Sequence, residues 1–399
     1  MDDVIALIDA RIQMLGPEPV ALLEAAGRVL ANEIVSGLPV PSFDRAAMDG
    51  YALRGEETFG ADLYAPASFR KIGQARPGRA FEGKLGPGEA VEIATGAPIP
   101  EGADTVVPVE ATVCENDRIS INVTEPFPIG RHIGRRGEDI AEGAVVLSPG
   151  RVLRPQDLGV LSGLGIATVF AIRKARVAVV VTGDELLPPG STPRIHRFAD
   201  MNSPMLAALI ARDGGIPRVV GPLPDDREIL RTALIAAADC SDIVLVSGGS
   251  STGPEDHAPA LVAELGELPV HGVALRPASP SGLGFIGAIP ILLLPGNPVS
   301  CLCAYDFFAR RAIRRLGGGH PGWPYRVESR PLARKLSSAV GRVDYARVRL
   351  VNDRVEPLSI GGASILTSTT RADGFVIVPA GLEGYAAGAN VQIYMYDIA

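Results

Sequence analysis

Residues 176–185 read RVAVVVTGDE, and this stretch decides the fold of the central part of the chain. Residues 177–181 are all apolar and mostly β-branched, which is typical of a strand buried on both faces of a parallel sheet. Gly183 interrupts the run, and two acidic residues, Asp184 and Glu185, follow it directly. The stretch therefore predicts a buried parallel strand with carboxylates at its carboxyl end.

The segments that follow alternate between strand and helix patterns. Ser203 is a candidate N-cap and Pro204 a candidate first helical residue, of a helix that stops at Gly214. Further strands are predicted around 219–220, at 243–246 and at 289–294, and further helices after Asp225 and Asp226, at 260–265 and at 299–316. Alternation at this spacing predicts a parallel α/β sheet with right-handed crossovers.

Three loops at the predicted strand ends carry residue types that bind anions. Open α/β sheets bind ligands at the carboxyl ends of their strands, so we expect these loops to share one edge. They read TGDE at 182–185, SGGSSTG at 247–253 and PGNPVS at 295–300. Backbone N–H groups and hydroxyls in such loops surround phosphate groups. The loops therefore predict a phosphate-bearing ligand; the alternative is that their glycines only make tight turns.

The remainder of the chain shows shorter patterns. Residues 4–15 place apolar side chains on one helical face, and residues 22–30 predict a second short helix. Between 42 and 148, short apolar runs are separated by Gly and Pro, as in a small β domain. Residues 149–173 predict a helix and a strand, and residues 319–399 return to β-like runs.

Composition excludes several classes of protein. The chain is 47% hydrophobic and 21% charged, and its 46 glycines and 34 prolines show no period, so a folded multidomain protein is expected. A net charge of −7 argues against a protein that coats nucleic acid or an anionic membrane. There is no membrane-spanning apolar stretch and no signal-peptide pattern, so we expect a cytoplasmic protein.

Cysteine and histidine usage predicts neither a disulfide framework nor a zinc site. The four cysteines are too few for a disulfide scaffold, and Cys301 and Cys303 are expected to be buried small apolar residues. The five histidines are scattered, without the spacing of a zinc site.

An ordered set of motifs runs along residues 41–300. These motifs are PSFD at 41–44, AMDGYA at 47–52, TGAPIPEGAD at 95–104, RGEDI at 136–140, TGDEL at 182–186 and PGNPVS at 295–300. The set resembles the MoeA/gephyrin family of molybdopterin molybdenumtransferases, which insert molybdate into the pterin dithiolene.

The resemblance implies a multidomain architecture of α/β plus β type, with a central parallel α/β domain that is MoaB/MogA-like. The implied domains are an elongated, mostly helical domain (1–44 and 149–173), a β-rich domain (45–148), an α/β molybdopterin-binding domain (174–318) and a small C-terminal β-barrel domain (319–399). It also implies an elongated homodimer, with molybdate in a cleft shared between subunits.

The resemblance further implies the reaction and its participants. Adenylylated molybdopterin and molybdate would be substrates, Mg²⁺ the cofactor and AMP a product. A molybdopterin adenylyltransferase and acceptor molybdoenzymes would be partners, with no nucleic acid or membrane partner. This chemistry suits the residues, because carboxylates are the usual ligands of Mg²⁺ and a tetrahedral dianion needs cations and hydrogen-bond donors.

Site residues follow from the resemblance, position by position. The implied catalytic residues are Asp49, Thr95 and Glu185, with Asp49 and Glu185 also as metal ligands. Those implied for the pterin phosphate and nucleotide are Thr182, Gly183, Asp225, Asp226, Ser247, Gly248, Gly249, Ser250, Ser251, Asp256, Pro295, Gly296, Asn297 and Pro298. Those implied for molybdate are Arg276, Ser279, Pro280, Ser300, Ser368 and one of Arg342 or Arg347. For Asp225, Asp226 and Asp256 the alternative is a cap, a turn or a surface ion pair.

Two departures from the family pattern fall on loops expected to bind anions. The usual Gly-Gly-Val-Ser-Val-Gly is GGSSTG at 248–253, and the usual Lys-Pro-Gly-Lys-Pro is RPASP at 276–280. Ser279 and Gly272 thus stand where the family has lysines, and each lost cation would weaken dianion binding by about 1–3 kcal/mol. Three hypotheses stay open: a metal-inserting transferase, a paralogue that carries molybdopterin or the finished cofactor to a molybdoenzyme, and a scaffolding dimer.

Overall fold

The computed structural model describes residues 1–115, 119–250, 256–359 and 362–396. The chain forms two compact units. The α/β unit comprises residues 1–20, 27–31 and 170–399, and the β unit comprises residues 21–26 and 32–169. The sequence predicted four domains, whereas the structure divides into two units, so the boundaries of the four domains stay predictions. Within the described ranges, no helix is long and apolar enough to cross a membrane.

The centre of the α/β unit is a six-stranded sheet, here called the central sheet. Its strands lie in the order Ile216–Leu223, Arg176–Thr182, Ile243–Ser247, Ile289–Leu294, Gly282–Ile286 and Glu267–His271. The first four are mutually parallel, and Val179 lies opposite Val219 on one side and Leu245 on the other. The predicted parallel sheet is therefore confirmed. The last two strands pair antiparallel, which the sequence did not predict.

Helices cover both faces of the central sheet. They are Asn202–Arg212, Arg227–Cys240, Ala258–Leu265 and Pro298–Ala304, the last continuing through the π-helical turn Tyr305–Ala309 into Arg310–Leu316. Alternate residues of the strand Arg176–Thr182 enter two separate cores: Val177 and Val179 pack with Leu206, and Val180 packs with Leu230. A strand with both faces buried has no polar side to show, which is why its sequence is uniformly apolar.

Two helix predictions are wrong. Ser203 is not the N-cap and Pro204 is not the first helical residue, because the helix begins at Asn202. The carboxylate of Asp200 accepts hydrogen bonds from the backbone N–H groups of Asn202 and Ser203. Residues 22–30 form a single 3₁₀ turn, Leu22–Glu24, rather than a helix. Leu23 is 91% exposed, whereas Ala25 and Leu30 are buried, so the burial of this segment does not follow a continuous helical stripe.

A second sheet, here called the C-terminal sheet, completes the α/β unit. Its strands lie in the order Leu275–Arg276, Val343–Val351, Gly374–Val378, Asn390–Met395 and Arg326–Pro331, and Arg354–Ser359 also pairs with Val343–Val351. Further elements of the unit are the helices Asp2–Arg11 and Thr367–Thr370 and the pairs Leu186–Leu187 with Phe198–Ala199 and Leu336–Ser337 with Gly384–Tyr385. The β character expected for residues 319–399 is confirmed.

The β unit is built on one six-stranded sheet. Its strands lie in the order Thr105–Pro108, Gly50–Leu53, Glu89–Ile93, Ala67–Ala75, Ser120–Val123 and Thr112–Glu115. Short ladders join Ile34–Val35 to Val145–Leu147 and Arg45–Ala46 to Ile133–Gly134. The chain also contains the strands Pro17–Ala21 and Thr168–Ile172, the helix Pro155–Gly163 and the 3₁₀ turns Gly55–Thr58 and Val109–Ala111. The predicted β-rich segment is therefore confirmed.

Candidate functional site

A cleft of about 510 Å³ opens at the carboxyl edge of the central sheet. Its lining includes the residues that directly follow three parallel strands, as expected for an open α/β sheet. The lining residues that the sequence predicted are Thr182, Gly183, Glu185, Asp225, Ser247, Gly248, Gly249, Ser250, Asp256, Pro280, Pro295, Gly296, Asn297 and Pro298. The lining residues that it missed are Leu186, Phe198, Asp200, Met201, Asn202 and Ser364. The cleft thus gathers most of the predicted phosphate and nucleotide set; Ser251 lies outside the described residues.

The side chain of Asn202 ties two of the cleft loops together. Its Nδ2 donates to the hydroxyl of Ser247 at 2.9 Å and to the backbone carbonyl of Gly296 at 2.7 Å. Asn202 is itself held at the start of its helix by the Asp200 carboxylate. These hydrogen bonds therefore fix the loop after Ile243–Ser247 relative to the loop before Pro298–Ala304.

Gly248 allows the backbone of the second loop to approach the first strand. Its φ is +96°, and a Cβ at this position would overlap the carbonyl oxygen of Thr182. Only glycine meets both conditions without strain. A loop that lies this close to the strand end presents backbone and hydroxyl groups to the cleft rather than bulky side chains.

The charged side chains that line the cleft are all acidic. Among the described lining residues, four carry carboxylates and none is a lysine, arginine or histidine. Asp225 accepts from the Thr182 hydroxyl at 2.6 Å and from the backbone N–H of Asp184 at 3.2 Å. Glu185 is exposed. Four carboxylates repel a phosphate group, so a bound cation would favour its entry into this cleft.

Asp226 lies next to Asp225 but has a different task. It is the N-cap of the helix Arg227–Cys240, and its carboxylate accepts from the backbone N–H groups of Glu228 and Ile229, both at 2.9 Å. It does not line the cleft. Of the two acids, only Asp225 lines the cleft.

Two of the arginines expected to bind molybdate meet at a buried carboxylate on the C-terminal sheet. Arg276 lies opposite Asp344 in the parallel pair of strands and donates to its carboxylate, to which Ser338 also donates at 2.6 Å. Arg342 Nε lies 3.7 Å from the other oxygen of Asp344. The Nε atoms of Arg276 and Arg342 are buried without a hydrogen-bond partner among the described residues.

The remaining residues of the expected molybdate set are dispersed. Arg347 is fully buried and donates to the Ser368 hydroxyl at 3.1 Å, and burial lowers the pKa of its guanidinium. Ser300 is buried in the first turn of Pro298–Ala304, and Ser279 is exposed. Only Pro280 of the expected molybdate set lines the cleft among the described residues. Arg342 and Arg276 thus both lie at the carboxylate of Asp344, whereas Arg347 contacts Ser368.

Asp49 and Thr95 form a pair within the β unit. Asp49 Oδ1 accepts from the backbone N–H of Thr95 at 2.6 Å and from its hydroxyl at 2.9 Å. These hydrogen bonds lower the pKa of Asp49, so the exposed carboxylate is ionised at neutral pH. Glu185 belongs to the α/β unit, so a metal held by Asp49 together with Glu185 stays a prediction.

A buried polar group surrounds Asp306 in the π-helical turn, here called the Asp306 cluster. Asp306 has no exposed surface, and it accepts from the hydroxyls of Tyr325 at 2.8 Å and Tyr345 at 3.2 Å. Arg212 lies 3.6 Å from the same carboxylate. Burial raises the pKa of Asp306 to about 6, although these neighbours oppose the shift. No sequence motif indicated this cluster, because its members lie far apart along the chain.

Both buried cysteines follow expectation. Cys301 and Cys303 are fully buried on the first helix after the third cleft loop, and burial raises the pKa of the Cys301 thiol to about 12. Neither thiol is available as a thiolate ligand at neutral pH. No cluster of three or more metal-ligating side chains occurs in the part of the chain that the structure describes.

Family models match almost the whole chain. Residues 1–165 match the MoeA N-terminal region (domain I and II), residues 178–315 match a probable molybdopterin binding domain, and residues 329–396 match the MoeA C-terminal region (domain IV). The chain belongs to the MoeA family.

Individual MoeA relatives are similar to this chain along almost their full length. Molybdopterin molybdenumtransferase 2 of Mycobacterium tuberculosis is 34% identical over 95% of each chain, and molybdopterin molybdenumtransferase of Haemophilus influenzae is 32% identical over 99% of each chain. Two solved structures of the molybdopterin biosynthesis MoeA protein of Pyrococcus horikoshii have TM-scores of 0.86 and 0.83, at 32% and 31% identity. The first covers 100% of this chain and 99% of that one, and the second covers 99% of each.

The MoeA membership agrees with the position of the cleft. The matched molybdopterin binding domain, residues 178–315, contains all but one of the described residues that line it. The residue outside that range is Ser364, which is close to the third loop because the backbone N–H of Val299 donates to the carbonyl of Ala363. Sequence reasoning had no signal for this long-range contact.

Proposed function

We propose that this MoeA-family chain is a molybdopterin molybdenumtransferase that inserts molybdate into adenylylated molybdopterin, with Mg²⁺, and releases AMP. The observation that carries the proposal is the cleft: glycine and hydroxyl loops at the carboxyl edge of a parallel sheet, lined by four carboxylates and, among the described residues, by no basic side chain. Loops of this kind surround phosphates.

The acidic lining supports a role for Mg²⁺. Mg²⁺ keeps several waters and is commonly bound by one or two protein carboxylates together with substrate phosphates, rather than by a complete protein cage. Glu185, Asp225 and Asp256 line the cleft and are suited to this role, and the described residues contain no preformed metal cluster. When bound, Mg²⁺ would neutralise phosphate charge and polarise a phosphoryl oxygen.

The arginine group around Asp344 supports the binding of an oxyanion. The buried Nε–H of Arg276 has no hydrogen-bond partner among the described residues, and that of Arg342 has only the carboxylate oxygen of Asp344 at 3.7 Å, beyond hydrogen-bond distance. Buried donors without a hydrogen bond favour an anionic acceptor. Molybdate is a tetrahedral dianion that accepts from several donors. We therefore expect Arg276 and Arg342 to contribute to molybdate binding, with Arg347 and Ser368 as a second group.

One observation favours a carrier of molybdopterin or finished cofactor as a second candidate function. Arg276 is already paired with Asp344, and Ser279 is exposed where the family pattern stated above has a lysine, so the cationic character of this region is reduced. The homodimer, the adenylyltransferase and acceptor partners and the cytoplasmic location belong to both proposals.

A turnover assay on the full chain separates the candidate functions. Purified protein receives adenylylated molybdopterin, Mg²⁺ and micromolar molybdate, and AMP release is followed together with incorporation of molybdenum. A transferase releases AMP only when molybdate is present. Tight binding without AMP release supports the carrier, and no binding refutes both proposals and leaves the scaffold.

Two variants connect the assay to the site. Glu185→Gln should abolish AMP release while pterin binding is kept, because only the charge of one carboxylate is removed. Glu228→Gln, on an exposed part of the neighbouring helix, is the matched control and should behave as the natural chain. Equal activity of the two variants would remove Glu185 from the proposed machinery.

A further inference from the structure

Two buried oxygen acceptors of residues that line the cleft have no hydrogen-bond partner among the described residues. Asp200 is 4% exposed and Asn202 is 7% exposed, and both line the cleft. Asp200 uses Oδ1 for two backbone N–H groups of the helix start, and its Oδ2 accepts from no described residue. Asn202 Oδ1 likewise has no hydrogen-bond partner in the part of the chain that the structure describes. An unsatisfied buried polar atom is costly and rare in folded proteins, so the pair needs an explanation.

The orientation of the Asn202 amide is fixed by its neighbours. Its other amide atom contacts the backbone carbonyl of Gly296, which can only accept a hydrogen bond. That atom must therefore be the NH₂ group, and the atom without a partner must be the carbonyl oxygen. Asp200 and Asn202 thus offer two acceptors and no free donor.

Apolar side chains stand beside these acceptors. Phe198 is 43% exposed and Met201 is 41% exposed, and both line the cleft together with Leu186. Phe198 is held by the short parallel pair of strands that puts it opposite Leu186. An exposed aromatic ring in a cleft is a surface on which a flat heterocycle can stack.

We propose that Phe198, Asp200 and Asn202 bind the pterin ring of the substrate by its 2-amino-pyrimidinone edge. This inference rests on the proposed function and specifies which part of the cleft takes which part of the ligand. The pterin edge presents two neighbouring donors, a ring N–H and an amino group, which match two acceptors. Adenine presents one donor and one acceptor at the corresponding edge, so the acceptor pair selects pterin over adenine.

A cation is the other occupant that two oxygens could take. Mg²⁺ at these two oxygens would have to complete its octahedral shell with waters or phosphate oxygens. The cleft that this pair lines also carries the apolar side chains of Leu186, Phe198 and Met201, which could not complete such a shell. The observations therefore favour a ring with N–H donors, and the experiment separates the two.

The test compares two simple probes, neopterin monophosphate and AMP, by calorimetric titration of the full chain with and without Mg²⁺. Asp200→Asn replaces the free carboxylate oxygen by an NH₂ donor at constant shape. We expect it to weaken neopterin monophosphate by about 10- to 100-fold, the range for a hydrogen bond to a charged group, with AMP affinity unchanged. Phe198→Leu should weaken neopterin monophosphate by about tenfold through lost stacking. Ile195→Ala, at a site 84% exposed, is the control.

The ratio of the affinity for neopterin monophosphate to the affinity for AMP decides the outcome. Equal loss of both probes in Asp200→Asn, with a lower melting temperature, would mean that Asp200 only caps its helix and would overturn the inference. A loss seen only when Mg²⁺ is present would assign the pair to a cation and overturn it as well. If the natural chain binds neither probe, the proposed function itself fails. Binding of both probes without a change of ratio refutes the ring assignment alone.

Discussion

The Asp306 cluster should make the stability of the α/β unit depend on pH in an unusual direction. Asp306 is fully buried, and burial raises the pKa of its carboxyl group from 3.8 to about 6. The groups that oppose the shift are Arg212, Arg310, Tyr325 and Tyr345, and Cys303, Tyr305 and Tyr396 also lie within electrostatic range. The perturbation is a change from pH 7 to pH 5, applied to the natural chain and to Asp306→Asn.

The sign follows from proton binding. Between pH 3.8 and about 6 the folded state holds a proton on Asp306 that the unfolded state has released. Stability therefore falls as pH rises through this window and becomes flat above it. The two pKa values correspond to a contribution from Asp306 that is about 1.4 kcal/mol more favourable at pH 5 than at pH 7. Asp306→Asn removes this contribution.

The assay is urea unfolding followed by the fluorescence of Trp323. The chain has one tryptophan, and its ring centroid lies 6.1 Å from that of Tyr325, so the signal reports on the α/β unit. The change in unfolding free energy between pH 7 and pH 5 should differ by about 1.4 kcal/mol between the natural chain and Asp306→Asn. Identical pH dependence in the two proteins would refute the reasoning.

Three further predictions concern the site. Asp226→Ala should lower the free energy of unfolding by about 1 kcal/mol, as for a lost N-cap, without changing substrate affinity. Asp225→Ala should instead weaken substrate binding in titration. If Asp226→Ala weakens binding and Asp225→Ala only destabilises the chain, the two assigned roles are wrong. Gly248→Ala should lower AMP affinity and reduce stability by more than about 1 kcal/mol in thermal melts, because Gly248 has a positive φ and lies against the carbonyl oxygen of Thr182. Gly317→Ala is the control: this position has room for a Cβ, so neither quantity should change. Ser279→Lys should lower the molybdate concentration for half-maximal AMP release by about tenfold, through one charged hydrogen bond, and no change would remove this loop from the oxyanion site.

The sequence predicts an element well where one local pattern decides it. The strand Arg176–Thr182 is buried on both faces, so its apolar run has no other interpretation. The antiparallel strand Gly282–Ile286 escaped prediction because two of its five residues are glycines. A Cβ at Gly284 would overlap Val262 and the backbone of Glu267, so these glycines serve close packing and hide the strand pattern.

Site residues were likewise predictable only where a strong local sequence pattern marks them. The glycine and hydroxyl loops were predictable, because each directly follows a strong strand pattern. Asp200 and Asn202 follow a strand of only two residues, Phe198–Ala199, so nothing in the sequence marked them as strand-end residues. The contact of Arg276 with Asp344 spans 68 positions and depends on a two-residue parallel pairing, which no local pattern encodes.

The most direct test of the account is a structure of the full chain bound to AMP and Mg²⁺. The AMP phosphate should lie within about 3 Å of donors in the loops at 247–250 and 295–298, with the carboxylates of Glu185, Asp225 and Asp256 close to the cation. The adenine should not occupy the surface formed by Phe198, Asp200 and Asn202. A phosphate bound elsewhere, with the cleft empty, would contradict the claim that this cleft binds the substrate.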